Sequence, residues 1–199
     1  MGGLSKPSKM PGFAYGIPAW KCLLGQILAK QANTVCSSCY ALKGMYVFPV
    51  VKAAQERRLE AISKPEWVSL MVELIGKKYR KATGAGRVFR WHDSGDLQSV
   101  EHLSKIVEIA KELPTIRFWL PTRERKIVRS FEGEIPSNLV VRISMAMIGQ
   151  EAVEDSSYPQ STVGAGNGFQ CPASEQGNEC KNCRACWDAE VPSVNYNAH

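Results

Sequence analysis

The sequence lacks any apolar run long enough to cross a membrane. A membrane helix needs about 18 or more consecutive apolar residues, and no stretch of the 199 residues approaches that length. The polar, proline-bearing segment 1–16 also lacks the apolar centre of a secretion signal. We therefore expect no membrane partner and a cytoplasmic location, which is a reducing compartment where disulfides are rare.

Internal repeats and low-complexity tracts are also absent. Apolar residues make up 44% of the chain, an ordinary value for a globular protein, and the length suits one domain. We predict a single domain over residues 1–199 with three parts. They are a cysteine-bearing loop segment (1–45), an α/β core (46–149) and a cysteine-rich C-terminal extension (150–199).

The core segment alternates helical and strand patterns. Residues 50–62 form one predicted helix, and a second helix opens with a capping box between Ser63 and Glu66. Ser99 is the predicted N-cap of a third helix. The sequence predicts three strands, at residues 87–92, 116–120 and 139–145. A strand–helix–strand unit of this length fits a parallel crossover. We therefore predict an α/β fold, either a partial (β/α) barrel or an open, mostly parallel sheet, with irregular cysteine-rich segments at both ends.

Seven cysteines form two groups, and their odd number argues against a set of disulfides. The C-terminal group is Cys171, Cys180, Cys183 and Cys186. Three thiols in consecutive x2 steps wrap a loop around one point, which is typical of the thiolates that hold the separate irons of a [4Fe-4S] cluster. Zinc is an alternative, although three linked thiols crowd a single ion. Unliganded buried cysteines, the bland interpretation, do not fit four thiols in a polar loop of sixteen residues.

The N-terminal group is Cys22, Cys36 and Cys39, one thiolate short of a closed four-iron site. Either His92 completes the ligand set from a strand end, or one iron stays open for a substrate, as in catalytic metal sites. A redox-active Cys36–Cys39 pair fits less well, because no strand precedes it. The sequence leaves open whether the seven cysteines bind one cluster or two.

A candidate ligand-binding turn follows the first predicted strand. Asp93, Ser94, Gly95 and Asp96 lie at the carboxyl end of that strand, where parallel α/β proteins bind ligands. Gly95 lets a backbone approach closely, and the carboxylates can hold an amine or hydroxyl. Arg123 ends the next strand on the same edge and can meet an anionic group. The alternative is a turn that only caps the next helix, with Arg123 on the surface.

Two polar residues, Arg142 and Ser144, stand in the third predicted strand. An arginine inside a strand is unusual unless it points at a site or a sheet edge. We therefore expect Arg142 at one of these two places.

The formal charge of +6 arises from 25 Lys and Arg against 19 Asp and Glu. It permits a nucleic-acid partner without requiring one, and a basic run at 77–81 is either such a contact or a solvated helix end. Cluster-bound thiolates add negative charge, so part of the basic excess can balance them. We therefore do not favour nucleic acid, and we keep a zinc-stapled nucleic-acid-binding module as an alternative.

Three segments carry a resemblance to a known family. They are Cys36-Ser37-Ser38-Cys39-Tyr40-Ala41, Trp91-His92-Asp93-Ser94-Gly95-Asp96-Leu97, and the block from Gln170-Cys171-Pro172 to Cys183-Arg184-Ala185-Cys186-Trp187. Together they resemble the phage "gene product 88" domain family over residues 9–187. This resemblance implies a virus-encoded protein in the cytoplasm of the infected host, and it implies no particular chemistry.

The order of parts more distantly resembles a radical S-adenosylmethionine (SAM) enzyme. Such enzymes carry a cysteine loop, a helix, a strand and then a Gly-Gly-Glu segment that binds the SAM amino group, on a partial barrel. Here the loop from Cys22 to Cys39 precedes the turn Ser94–Asp96. The resemblance implies an enzyme with an open-iron cluster, SAM or another small molecule as its ligand, and an auxiliary cluster at Cys171–Cys186. A non-enzymatic electron-transfer or structural iron–sulfur protein is the alternative.

Overall fold

The centre of the molecule is an open, all-parallel sheet. The structure is a computed structural model that describes residues 2–154 and 156–198. The strands are β1 (Phe13–Tyr15), β2 (Val88–Trp91), β3 (Arg117–Thr122), β4 (Leu139–Ser144), β5 (Gln160–Val163), β6 (Phe169–Gln170) and β7 (Ser193–Tyr196). Their order is β1-β2-β3-β4-β5-β7-β6, and every neighbouring pair is parallel. The predicted α/β class with an open parallel sheet is confirmed.

Helices from the middle of the chain cover one face of this sheet. They are α2 (Pro49–Ile62), α3 (Trp67–Tyr79), α4 (Val100–Glu112) and α5 (Arg125–Arg129), and they follow the short helix α1 (Leu23–Leu28). On α3, Trp67, Met71 and Ile75 recur at i, i+4 and i+8 and are fully buried, so one helical face packs on the core. No helix in the described part of the chain has the length and apolar character of a membrane span.

Alternating side chains give the sheet two different faces. Phe89, Trp91 and Phe118 lie in the helix-covered core. The opposite face carries a smaller apolar cluster made of Val88, Trp119, Ala185, Cys186, Trp187 and Val194. The C-terminal cysteine loop therefore covers the face of the sheet that the helices leave open.

The two predicted helix starts have different outcomes. Ser99 caps α4 as predicted, because its Oγ accepts a 3.1 Å hydrogen bond from the His102 N–H. The capping box at Ser63 is wrong, since its Oγ donates to the Glu60 carbonyl at 2.9 Å. Ser63 has helical backbone angles as the C-cap of α2, whereas an N-cap residue needs an extended backbone. Helix α3 then begins at Trp67 without a side-chain cap.

The C-terminal extension is more regular than its sequence predicts. It contributes β5, β6 and β7 to the main sheet, although β5 is mostly polar and every second residue of β7 is polar. Hydrogen bonds pair the polar side chains of these two strands. The Thr162 hydroxyl donates to Asn195 Oδ1 at 2.9 Å, and Asn195 Nδ2 donates to the Ala165 carbonyl at 2.8 Å. Buried polar strands are stable when their polar atoms are paired in this way.

Candidate metal centres

The N-terminal cysteines lie at the carboxyl edge of the sheet, beside the ends of β1 and β3. Cys22 is the N-cap residue of α1. In the first turn of this helix, the Leu24 N–H donates a 2.7 Å hydrogen bond to Glu124 Oε1. Glu124 lies two residues beyond the end of β3. A carboxylate beyond β3 therefore fixes the helix that carries Cys22, a role that the sequence pattern did not indicate.

Thr34 holds the turn that presents Cys36. Its buried hydroxyl donates to the Leu28 carbonyl at 2.7 Å and accepts from the Ser37 N–H at 3.1 Å. The Val35 N–H donates to the Ala146 carbonyl at 2.9 Å, just beyond β4. The turn Val35–Ser38 is thus attached both to α1 and to the sheet edge.

Cys22, Cys36 and Cys39 share one electrostatic environment with two residues predicted from the sequence. Burial raises the pKa of Cys22 well above its usual range, and the negative charges of Asp96 and of the neighbouring thiolates raise it further. Burial also raises the pKa of Cys36, while the positive charge of Arg123 opposes this shift. The structure therefore brings Asp96 and Arg123 to the three cysteines. Because burial favours the neutral thiol, these cysteines need a cation as a partner in order to become thiolates.

Gly25 leaves a space beside two of these thiols. A Cβ at this position would lie 2.8 Å from Cys22 Cβ, 3.5 Å from Cys22 Sγ and 3.9 Å from Cys36 Sγ. Glycine inside a helix costs about 1 kcal/mol relative to alanine. The space that both sulfurs border is therefore kept open at a cost to helix stability. In the sequence, the position of Gly25 three residues beyond Cys22 is the signal of this space, and the cysteine spacing alone does not contain it.

The predicted ligand turn packs against the chain segment that leads to Cys22. Ser94 Oγ donates to the Ile17 carbonyl at 2.9 Å. Gly95 has a φ of 85°, and a Cβ there would lie only 2.3 Å from Ile17 Cγ1. Glycine is required because the left-handed backbone and the close approach both exclude a side chain. The turn positions the cysteine segment, and the Ser94 hydroxyl is already occupied.

Asp96 is likewise engaged by the protein. Its carboxylate accepts hydrogen bonds from the Thr122 hydroxyl at 2.6 Å and from the backbone N–H of Arg123 at 2.9 Å. Burial raises the pKa of Asp96, although these hydrogen bonds oppose the shift. Arg123 differs, because its Nε is buried and has no hydrogen-bond partner within the described residues. Arg123 is therefore the predicted ligand residue that still has a donor to offer.

His92 points into the aromatic core. Its ring packs at 5.2 Å, centroid to centroid, against the ring of His102, and both ring nitrogens lack partners in the portion of the chain described. Burial lowers the pKa of His92 well below 6.5, and the charged groups that act on it are His102 and Arg90. The structure does not bring His92 to the thiols as a fourth ligand.

The four C-terminal cysteines lie together under the opposite face of the sheet. Cys186 is 8% exposed, and the other three are half-buried. Burial raises the pKa of Cys186 to about 12, and a hydrogen bond with Tyr196 opposes the shift. Burial also raises the pKa of Cys180, followed by the negative charges of Cys171 and Cys183. These mutual effects place the four thiols in one neighbourhood.

Arg142 fastens this cysteine loop to β4. The side chain is fully buried and donates only to backbone carbonyl oxygens. Its four acceptors are Gln160 at 2.8 Å, Val191 at 3.1 Å, Ala185 at 3.1 Å and Asp188 at 3.0 Å. The unusual strand arginine therefore reaches the cysteine loop beneath the sheet, and it uses its guanidinium to hold that loop.

Arg90 stands between the two cysteine groups. Its Nη2 donates to the hydroxyl of Tyr40, the residue after Cys39, at 3.3 Å. Its guanidinium lies 4.5 Å from the centroid of the Trp119 ring. Its positive charge opposes the rise that burial causes in the pKa of Cys180. No pattern in the sequence indicated this position.

The side chains are not preset around a single ion. Within residues 2–154 and 156–198, no set of three or more His, Cys, Asp or Glu side chains converges as ligands on one point. The thiols within each group act on one another electrostatically, and the space at Gly25 is bordered by Cys22 and Cys36.

Comparisons with known proteins identify a family. A search of curated proteins and a search of solved structures each returned no significant match. A family model described as "Gene product 88" matches residues 3–189, which covers both cysteine groups and the turn between them. The chain therefore belongs to the phage Gene product 88 family, as its three motif segments predicted.

Proposed function

We propose that this chain is an iron–sulfur protein with two clusters, one of which has an iron open to a small molecule. The observation that carries the proposal is the division of the seven cysteines into neighbourhoods of four and three. Four thiolates complete the ligand set of a four-iron cluster. Three thiolates leave one iron without a protein ligand, and an open position is what distinguishes catalytic from structural metal sites.

The donor set supports clusters rather than single zinc ions. A single tetrahedral zinc has to take its sulfur ligands at about 2.3 Å from one point, and the three thiols Cys180, Cys183 and Cys186, linked in consecutive x2 steps, crowd one ion. In a polynuclear cluster each thiolate binds a different iron, so the ligands surround a larger volume. Gly25 keeps such a volume free beside Cys22 and Cys36. When bound, a cluster would supply one-electron chemistry.

Arg123 supports a ligand with an anionic group at the N-terminal centre. Its guanidinium acts on Cys36, and its Nε has no partner among the described residues. Arginine binds carboxylates through a rigid fork of donors. SAM, which carries a carboxylate and is implied by the distant resemblance, is the small molecule we propose to test first.

A second candidate function is a non-enzymatic iron–sulfur protein that relays electrons or staples loops onto the sheet. The observation in its favour is that the Ser94 hydroxyl and the Asp96 carboxylate are already bonded within the protein. In this case the turn 94–96 would hold the cysteine segment in place and bind no ligand.

Metal and sulfide analysis of anaerobically purified protein tests the proposal. We expect brown protein with about eight irons and about eight sulfides per chain. Cys36→Ser and Cys183→Ser should each lose roughly half of the iron, whereas Ser38→Ala, in the same loop as Cys36, should lose none. Colourless protein with stoichiometric zinc would reject both iron–sulfur functions and leave the zinc-stapled alternative.

Addition of SAM to the reduced protein separates the two iron–sulfur functions. An open iron with SAM bound should change the electron paramagnetic resonance spectrum of the N-terminal cluster. Arg123→Gln should weaken the change, and Arg129→Gln, at an exposed position of α5, should leave it intact. An unchanged wild-type spectrum at saturating SAM would favour the electron-transfer or structural function.

A further inference from the structure

Cys186 differs from the other cysteines because its sulfur has a side-chain hydrogen bond. Its Sγ lies 3.1 Å from the hydroxyl oxygen of Tyr196. In the part of the chain that the structure describes, the other six cysteine sulfurs have no such partner. Cys186 is also the most buried of the seven. The contact is therefore specific to one candidate ligand of the C-terminal centre.

Both partners are held in place by separate parts of the fold. Tyr196 ends β7 and pairs with Val163 of β5, and its backbone carbonyl accepts a 2.8 Å hydrogen bond from Gly164. Cys186 lies in the loop that Arg142 fastens to β4. The hydroxyl and the sulfur are thus brought together by the sheet and by the hydrogen bonds of Arg142, and the contact needs no movement of either element.

Metal binding fixes the direction of this hydrogen bond. Either atom can donate while Cys186 is a thiol. A cysteine that binds metal is a thiolate without a proton, so the Tyr196 hydroxyl has to be the donor. A hydrogen bond to a ligand sulfur stabilises the added negative charge of a reduced cluster and so raises its reduction potential.

Nearby charges differ between the two centres in the same sense. The positive charge of Arg142 acts on Cys186, and that of Arg90 acts on Cys180. At the N-terminal centre Arg123 acts on Cys36, but the carboxylates of Asp96 and Glu124 act on both Cys22 and Cys36. Positive neighbours favour the reduced, more negative cluster, and a carboxylate disfavours it.

We propose that Tyr196 is a positioning residue whose hydroxyl raises the reduction potential of the C-terminal cluster above that of the N-terminal cluster. The inference rests on the proposed function, because it requires a cluster bound through Cys186. It assigns the two centres different roles. An electron that enters the protein resides on the C-terminal cluster, and the N-terminal cluster is the weaker acceptor.

A potentiometric titration followed by electron paramagnetic resonance tests this assignment. Wild-type protein should show two reductions, and Cys36→Ser identifies the N-terminal one by its loss. Tyr196→Phe removes the hydroxyl and keeps the ring. It should move the C-terminal reduction to a more negative potential and leave the N-terminal one in place. Tyr158→Phe, which removes a hydroxyl that bonds to none of the described residues, should move neither.

Site-specific incorporation of 3-fluorotyrosine at position 196 provides a second measurement. Fluorine makes the hydroxyl a stronger donor, so the C-terminal potential should rise, opposite to the shift from phenylalanine. A purely structural role of Tyr196 does not produce shifts of opposite sign. If the phenylalanine variant fails to retain its iron, the fluorotyrosine shift decides alone.

The outcomes separate the inference from the proposed function. A C-terminal potential that stays constant across the variants, in protein with full iron content, overturns the role of Tyr196 and leaves the iron–sulfur function intact. A C-terminal cluster that is harder to reduce than the N-terminal one also overturns it. Wild-type protein without iron rejects both, and that result appears before any potential is measured.

Discussion

The guanidinium of Arg142 donates a 3.1 Å hydrogen bond to the carbonyl oxygen of Ala185, the residue before Cys186. Arg142 belongs to a central strand, and Ala185 belongs to the cysteine loop on the face of the sheet without helices. One buried side chain therefore connects the core of the fold to a candidate metal ligand. The hydrogen bonds of Arg142 hold the cysteine loop against the sheet.

Loss of this clamp should destabilise the protein strongly. Arg142→Met removes the donor of four hydrogen bonds to carbonyl oxygens, and a hydrogen bond from a charged group is worth about 1.5–3 kcal/mol. We expect the free energy of unfolding, measured with urea, to fall by more than about 3 kcal/mol. Arg129→Met, at an exposed position of α5, is the control and should change it by less than about 0.5 kcal/mol. Equal stability of Arg142→Met and wild type would contradict the clamp.

Gly25→Ala should act on the N-terminal centre alone. Its methyl group would lie 2.8 Å from Cys22 Cβ, so Cys22 has to move. Helix propensity by itself favours alanine by about 1 kcal/mol, and the clash should remove this gain. We expect the variant to lose the N-terminal share of the iron and to keep the C-terminal share.

Gly76→Ala in α3 is the matched control for this substitution. Its Cβ would meet only Leu113 Cδ2, at 3.9 Å, which is an ordinary contact. It should stabilise the protein by about 0.5–1 kcal/mol with unchanged iron content. Full iron content in Gly25→Ala would show that the space beside Cys22 and Cys36 is not used.

Two serines at helix ends should respond differently to alanine. Ser99→Ala removes the hydroxyl that caps α4 and should cost about 1 kcal/mol. Ser63→Ala removes a hydroxyl that bonds only to the preceding turn, so its effect should stay within about 0.5 kcal/mol. Urea unfolding of both variants measures the difference. Equal losses would restore the predicted capping box at Ser63.

His102 should make the protein less stable in acid. Burial lowers its pKa from 6.5 to about 3. Below pH 6.5 the unfolded chain binds a proton that the folded chain does not bind until about pH 3. The contribution of neutral His102 to the free energy of unfolding is therefore complete above pH 6.5. It is lost as the pH falls, by about 1.4 kcal/mol per pH unit for this one group.

The variant His102→Phe tests this pH dependence. Phenylalanine keeps an aromatic ring against Trp67, which packs on His102 at 5.7 Å between centroids. The difference in unfolding free energy between wild type and variant should be constant from pH 7 to 8. This difference should shift in favour of the variant between pH 6 and 4.5. A difference that is independent of pH would show that His102 does not titrate on unfolding.

The sequence predicted the elements that local patterns define. The helix predicted at 50–62 corresponds to α2, and Ser99 marks the start of α4 as predicted. Local patterns failed where long-range contacts take over. The polar side chains of β5 and β7 are paired through Asn195, whose hydrogen-bond partners lie in other segments.

The candidate site divides in the same way. The spacing of the cysteines and their division into three and four were visible in the sequence, because metal ligands recur at short intervals along a loop. The partners Glu124, Arg90 and Tyr196 were not visible. Each reaches a cysteine segment from a distant strand or loop, and nothing in its own neighbourhood marks the contact.

The amino-acid sequence alone determined the family, the α/β class and the grouping of the cysteines, since these depend on residue types and on short spacings. The tertiary structure decided which polar groups remain available. Parallel strands bring their carboxyl ends to one edge. There the fold uses Asp96 and Ser94, while Arg123 Nε has no hydrogen-bond partner among the residues that the structure describes. Alternation along β4 turns Arg142 toward the cysteine loop, and the position of β7 sets Tyr196 against Cys186. Such pairings depend on strand order, which no short stretch of sequence contains.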